Sequence, residues 1–239
     1  MERSIGQIVA DDYRSAAVFD RYGIDFCCNG DQSLETACQQ KQLDIVELRK
    51  LLHTTLLGPK PKPTDFKSWP LDLLINYIEK KHHRYTVEKI PVIHRYLNDI
   101  CREYGAQHPE LNQIFEIFIT SSVELRVQME MEELVLFPFI QKMLTAKYNS
   151  KTLHIPHFAP INIHVLALAH NHRIEGKRLR KIEALSHNYT PPEDSSKAYK
   201  KTFVLLREFY KDLQFHIHLE NNILFPKSTL LEKEFRTSV

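Results

Sequence analysis

Glycine is scarce in this chain, with six residues in 239. Turn-rich β architectures lean on glycine for positive-φ turns, so the shortage favours helices. Long apolar runs are missing as well. No stretch reaches the ~18 apolar residues expected of a membrane-spanning helix. Cysteine is rare: four residues, two of them adjacent, do not make the disulfide framework of a small secreted domain. The first ten residues carry charges and no apolar segment of a secretory signal. Excess charge is absent too. A net charge of +2, with Lys and Arg spread along the chain rather than clustered, argues against a nucleic-acid footprint. The expectation is a cytoplasmic globular protein with no membrane and no nucleic acid among its partners.

Helical patterning and histidine are what the chain has. A hydrophobic fraction of 43% and a charged fraction of 26% are those of a globular core with a solvated surface. Thirteen histidines are many for this length, and most lie from His82 onward. Residues 1–57 read as a small helical domain. Asp44-Ile45-Val46-Glu47 looks like a capping box opening a helix to about Leu57. Gly23 to Gly30 form a turn bounded by glycines. Residues 58–68 are a Pro/Lys linker, because alternating prolines in Gly58-Pro59-Lys60-Pro61-Lys62-Pro63 exclude helix and favour an extended form. Residues 69–239 read as four long helices: about Pro70–Tyr104 with a kink near Pro91, Pro109–Ala146, Ile161–His187, and a fourth ending near Lys227. Thr190-Pro191-Pro192-Glu193 combines a cap, an early proline and a third-position Glu, and so predicts the start of the fourth. The fold class is all-α, a four-helix bundle preceded by a small helical domain.

Each of the four helices offers metal-ligating side chains. His216 and Glu220 stand four residues apart in apolar company, on one helical face. A buried His and carboxylate need a partner, and a metal ion suits both. Aligning Leu136-Phe137-Pro138 with Leu224-Phe225-Pro226 sets Glu132 against Glu220 and Gln128 against His216. The first helix adds His82-His83 and the third His170-Asn171-His172. Bundles of this kind build dinuclear carboxylate sites from inward side chains. Two bridging glutamates would offset the charge of iron, with manganese or zinc as substitutes. The structural alternatives are a helix salt bridge worth tenths of a kcal/mol and proline perturbing a helix after a buried aromatic.

These residues carry a specific resemblance. The C-terminal region resembles a hemerythrin-like di-iron domain, and nearly the whole chain resembles the Repair of Iron Centers family. The signature is carried by Asp25-Phe26-Cys27-Cys28-Asn29-Gly30, His83 with Pro91, Glu132-Glu133 before Leu136-Phe137-Pro138, His172 with Gly176, and His216 to Pro226. The resemblance implies two non-haem, carboxylate-bridged iron ions held by His83, Glu132, His172, His216 and Glu220. It implies a role in repairing iron–sulfur clusters after nitrosative or oxidative damage. Its partners would be damaged iron–sulfur proteins, with nitric oxide, O2 or peroxide as small-molecule ligands, and a homodimer is expected. The small domain would supply redox or partner-docking thiols, Cys27 and Cys28. Adjacent cysteines beside Asn and Gly in a turn are expected to be exposed and reactive, whereas Cys38 and Cys101 read as inert core residues.

Three departures stand out. Gln128 occupies an expected histidine position, so the amide oxygen, a water, or Glu124 one turn earlier would complete that half of the site. The loop before the third helix adds His154, His157 and His164, read as surface residues. Asn171 precedes His172 where an acid lining an entry channel is common. Whether the protein is an enzyme stays open: nitric oxide or peroxide reduction, a hemerythrin-like O2 or NO sensor, and a metal-free scaffold are the alternatives.

Overall fold

The computed structural model describes residues 3–58, 64–149 and 160–236. Pro59–Pro63 of the expected linker, and His154 and His157, lie outside the described residues. Among the described residues no β-strand forms, and one isolated bridge pairs Ser4 with Ser33. No described helix is long and apolar enough to cross a membrane. The chain divides into two compact units, Met1–Leu74 with Ile217–Val239, and Ile75–His216.

The first unit begins with four short helices, α1 (Ile5–Asp11), α2 (Arg14–Arg21), α3 (Leu34–Lys41) and α4 (Ile45–Leu57). Their starts follow from side-chain capping. Ser4 and Gln7 form a reciprocal capping box on α1, and Ser33 accepts from the Thr36 amide on α3. Asp44 accepts from the Val46 and Glu47 amides on α4, as its sequence predicts. Ile5, Val9, Phe19, Ile24, Phe26 and Leu48 are buried at the centre of this unit. The segment between α2 and α3 turns at Gly23, whose φ of +63° suits a residue without Cβ.

The second unit holds the bundle. Its rods are α5 (Leu71–Tyr77) continuing into α6 (Arg84–Tyr104), α7 (Glu110–Met131) continuing into α8 (Phe137–Tyr148), α9 (Ile161–Leu185), and α10 (Lys197–Leu219). α5 and α10 each cross a boundary between the units. Ile78, Ile93, Leu97, Ile100, Leu111 and Ile114 line the buried faces, and Phe118 packs edge-on against Phe209 at 5.6 Å. Pro91 stays inside α6.

Three π-helical segments interrupt the rods: π1 (Ile78–His83), π2 (Glu132–Leu136) and π3 (Glu220–Leu224), the last leading into α11 (Phe225–Arg236). Helical periodicity does not reveal them, but the cause of the second and third is visible in the sequence. Pro138 has no N–H, and in an α-helix its ring would clash with the Leu134 carbonyl; Pro226 stands in the same relation to Asn222. One extra residue in the preceding turn relieves the clash. The Phe137 amide therefore bonds back five residues to the Glu132 carbonyl. The Phe225 amide does the same to Glu220. The repeated Leu-Phe-Pro thus marks two widened turns, each opening on a glutamate.

The expected start of the fourth helix is corrected. The chain leaves α9 through His187, Asn188 and Tyr189, all at positive φ, so the third helix stops at Leu185. Pro192 disfavours helical backbone at Pro191, and Ser195 closes a turn onto the Pro192 carbonyl. Ser196 then caps the helix, its hydroxyl accepting from the Tyr199 amide at 3.2 Å, and α10 begins at Lys197. The last rod also runs past Lys227, to Arg236.

Candidate metal centre

The π segments and the predicted ligands coincide. His83 ends π1, Glu132 opens π2, and Glu220 opens π3. Widened turns reorient side chains relative to the preceding α-helical register, and π-bulges recur at functional sites. His172 sits on the uninterrupted α9, and His216 lies one turn before Glu220 on the same continuous helical backbone. All five are buried, none more than 2% exposed.

Within the second unit, His83, Glu132 and His216 each offer a ligand atom, all within 4.8 Å of one another. The Nε2 atoms of His83 and His216 are 3.1 Å apart. Glu132 faces two ways. Its Oε2 lies 3.4 Å from His83 Nε2, and its Oε1 lies 3.9 Å from His172 Nε2. One carboxylate therefore addresses two imidazoles through separate oxygens, the disposition a bridging ligand requires. Gln128 completes the second half. Its amide donates to Glu132 Oε1 at 3.0 Å and touches His172 Nε2. The amide sits where the sequence alignment places it, and its oxygen and nitrogen exchange by a simple flip.

The donor set fits a metal. His and Glu are borderline and hard ligands suited to iron, manganese or zinc, and buried carboxylate among imidazoles is costly without a cation. Two nitrogens 3.1 Å apart are near enough for one ion to reach both.

The orientation of His83 is set from outside. Its Nδ1 lies 2.7 Å from Glu133 Oε1, so the ring donates there and turns its Nε2 lone pair inward. This carboxylate–histidine arrangement fixes the tautomer and raises ligand basicity. His82 is likewise tied through Nδ1 to Asp212 at 3.0 Å, and its ring stacks on His216 at 5.7 Å. His82 thus braces the site rather than entering it. From the sequence, Glu133 had no role beyond the Glu132-Glu133 motif and Asp212 was not singled out, although the 212/216/220 spacing was a legible signal. Glu175, one turn after His172, was also missed. It is 3% exposed and pairs with Arg178 at 3.2 Å, and burial pushes its carboxyl above the ordinary range.

Other expectations are corrected or resolved. Glu124 does not reach in: it is exposed and bound by Arg178 through two contacts of 2.9 Å. Asn171 and His170 are exposed, and His164 is half-buried. Cys27 and Cys28 are not the exposed thiols expected of a turn, being 5% and 6% exposed. The turn is covered because Asn221 donates to the Cys27 carbonyl at 2.9 Å and Asn222 to the Phe26 carbonyl at 3.1 Å. The Cys27 thiol is pushed up by its contact with Cys28 and by burial. Cys38 is buried as expected of a core residue, while Cys101 is half-buried.

Imidazoles and carboxylates converging inside a four-helix bundle define the class of cation-binding helical bundles. Residues 74–228 match the family model described as the hemerythrin HHE cation binding domain. Residues 1–55 match ScdA_N, a domain of unknown function (DUF542). The chain belongs to the hemerythrin HHE cation-binding family. It is 29% identical over 227 residues to the iron-sulfur cluster repair protein YtfE of Musicola paradisiaca, covering 95% of this chain and 96% of that protein. The YtfE of Pectobacterium carotovorum is 30% identical over 234 residues, with the same coverage. That of Yersinia pestis is 28% identical over 233 residues.

Proposed function

We propose that this protein is a non-haem di-iron protein that repairs iron–sulfur clusters damaged by nitrosative or oxidative stress. The observation that supports it most directly is Glu132, whose two oxygens face His83 and His172 respectively. In this reading His83 and His216 would hold one ion, His172 with help from Gln128 would hold the other, and Glu132 would offer a carboxylate oxygen to each side. Glu220, completely buried and one helical turn after His216 in the sequence, would be the second carboxylate ligand. When bound, iron would supply affinity for nitric oxide, O2 or peroxide, and ferrous ion for an acceptor cluster.

The chain's own residues determine how firmly iron is held. Glu133 fixes the His83 tautomer, which strengthens that half. Gln128 offers a neutral amide where an imidazole would bind more tightly, which makes the other half the labile one. Full-length relatives named for iron–sulfur cluster repair support the biological assignment. The four cysteines, none of them in a disulfide, suit a reducing compartment such as the cytosol.

The test is reactivation of a nitric-oxide-damaged [4Fe–4S] dehydratase by the iron-loaded protein. The proposal expects recovery of activity with one iron lost from the donor, and no recovery from the His172→Ala variant, which removes the imidazole of the labile half. Equal recovery from free ferrous ion at the same concentration would contradict it. Sustained consumption of nitric oxide or peroxide with an electron donor would move the assignment to a reductase.

A further inference from the structure

The Cys-Cys turn holds a second group of converging ligand atoms, and it lies wholly within the first unit. We propose that Asp25, Cys27 and Cys28 form a separate thiolate metal site that takes a single thiophilic divalent cation.

The sulfur atoms of Cys27 and Cys28 are 3.5 Å apart. Asp25 Oδ1 lies 3.4 Å from the Cys27 sulfur, and the three ligand atoms are all within 4.8 Å of one another. An ion at about 2.3 Å from each thiolate and about 2.0–2.2 Å from a carboxylate oxygen reaches all three with small side-chain movements. No disulfide joins the two cysteines, so both sulfurs keep ligand capacity.

The group is held by contacts that do not involve the thiols. Asp25 Oδ1 accepts from the Cys28 amide at 2.9 Å, and Oδ2 accepts from the Asn29 side chain at 2.7 Å. Asn221 and Asn222 fasten the carbonyls of Cys27 and Phe26. The turn also cannot move away from α1. The Gly6 amide donates to the Gly30 carbonyl at 2.7 Å, and a Cβ on Gly6 would stand 2.0 Å from Asn222 Oδ1. Ligands fixed by their surroundings lose little entropy on binding.

Asp25 Oδ1 both closes the turn on the Cys28 amide and stands against the Cys27 sulfur, so one acceptor oxygen and two sulfurs converge. The neighbouring Cys28 sulfur, burial and the Asp25 carboxylate together raise the cost of forming a thiolate at Cys27. A divalent ion reverses that cost: M2+ displaces the two thiol protons to solvent, forms two metal–sulfur bonds and meets the Asp25 charge. No electron is transferred. Three protein ligands leave a further position, so the ion is exchangeable rather than a closed structural zinc. The sulfur donors distinguish this site from the all-nitrogen and oxygen donor set of the bundle, and soft ligands select differently.

The experiment is anaerobic titration of the reduced, full-length protein with Co2+, following the near-ultraviolet sulfur-to-cobalt charge-transfer band. The proposal expects a band saturating at one Co2+ per chain and lost in Cys27→Ser and in Cys28→Ser. It expects at least tenfold weaker binding in Asp25→Asn. The band should persist in His216→Ala, which disables the bundle centre and contains no sulfur ligand, so the two sites are read separately. Absence of the band in the unaltered protein overturns the proposal without recourse to any variant. A band that survives in Cys27→Ser, or an Asp25→Asn affinity equal to that of the parent, overturns the assignment of the ligands.

Discussion

Replacing Glu132 by leucine separates a metal ligand from a structural ion pair. The side chain is fully buried, lies 3.4 Å from His83 and 3.9 Å from His172, and accepts from Gln128 at 3.0 Å. If its purpose is to hold metal, the metal-free protein carries a buried carboxylate whose desolvation is costly. Leucine removes that carboxylate and its desolvation cost. Exchanging a buried ionic group for an apolar one is then neutral to stabilising by about 1–4 kcal/mol. Taking about 1–2 kcal/mol and about 2–4 °C per kcal/mol for a chain of this size, the metal-free variant should melt roughly 2–8 °C above the parent. Ferrous ion at a hundred times its Kd adds ~2.7 kcal/mol to the parent, about 5–11 °C, and should add nothing to the variant. Circular-dichroism melting with chelator and with ferrous ion, under anaerobic conditions, measures both effects. A variant less stable than the parent in chelator, by the ~3–5 kcal/mol typical of breaking a buried ion pair, would refute the reasoning.

Further outcomes follow from neighbouring contacts. Glu133→Ala frees the His83 ring to rotate and should weaken iron binding about 10–100-fold, measured by competition with a chromogenic chelator. Gln128→His restores an imidazole beside His172 and should tighten the more weakly held ion at least tenfold, about 1.4 kcal/mol, leaving the other unchanged in the same competition. Gly6→Ala drives a Cβ into Asn222, which sits 2.0 Å away, and should destabilise by about 1–3 kcal/mol, read from urea midpoints. Glu175 has a raised folded pKa because of burial, so its contribution to stability is fully present below the unfolded value of about 4.5 and is lost as pH rises through the folded value. Glu175→Gln should remove that fall from the profile of stability against pH.

Much of the candidate site was legible because ligand chemistry would need particular residues at particular spacings. His216 and Glu220 declare themselves by the helical repeat, and Glu132 by the echoed Leu-Phe-Pro. The same echo held the cause of π2 and π3, since proline forces a wider turn, but a period of 3.6 residues hides an inserted residue. Glu133 and Asp212 were harder to see, because a surface carboxylate and one that orients a histidine look alike until the helices pack. The start of α10 misled for a local reason: Thr190 to Glu193 satisfies every capping preference, and the following proline and the three positive-φ residues before it override them. Burial of Cys27 and Cys28 was not legible at all. It depends on Asn221 and Asn222, nearly two hundred residues further along the chain.

The most direct test of the central claim is anomalous scattering at the iron edge from crystals of the iron-loaded protein. The account predicts two peaks inside the bundle on either side of the Glu132 carboxylate, one beside His83 and His216 and one beside His172. A single peak, or iron only outside the bundle, would contradict it.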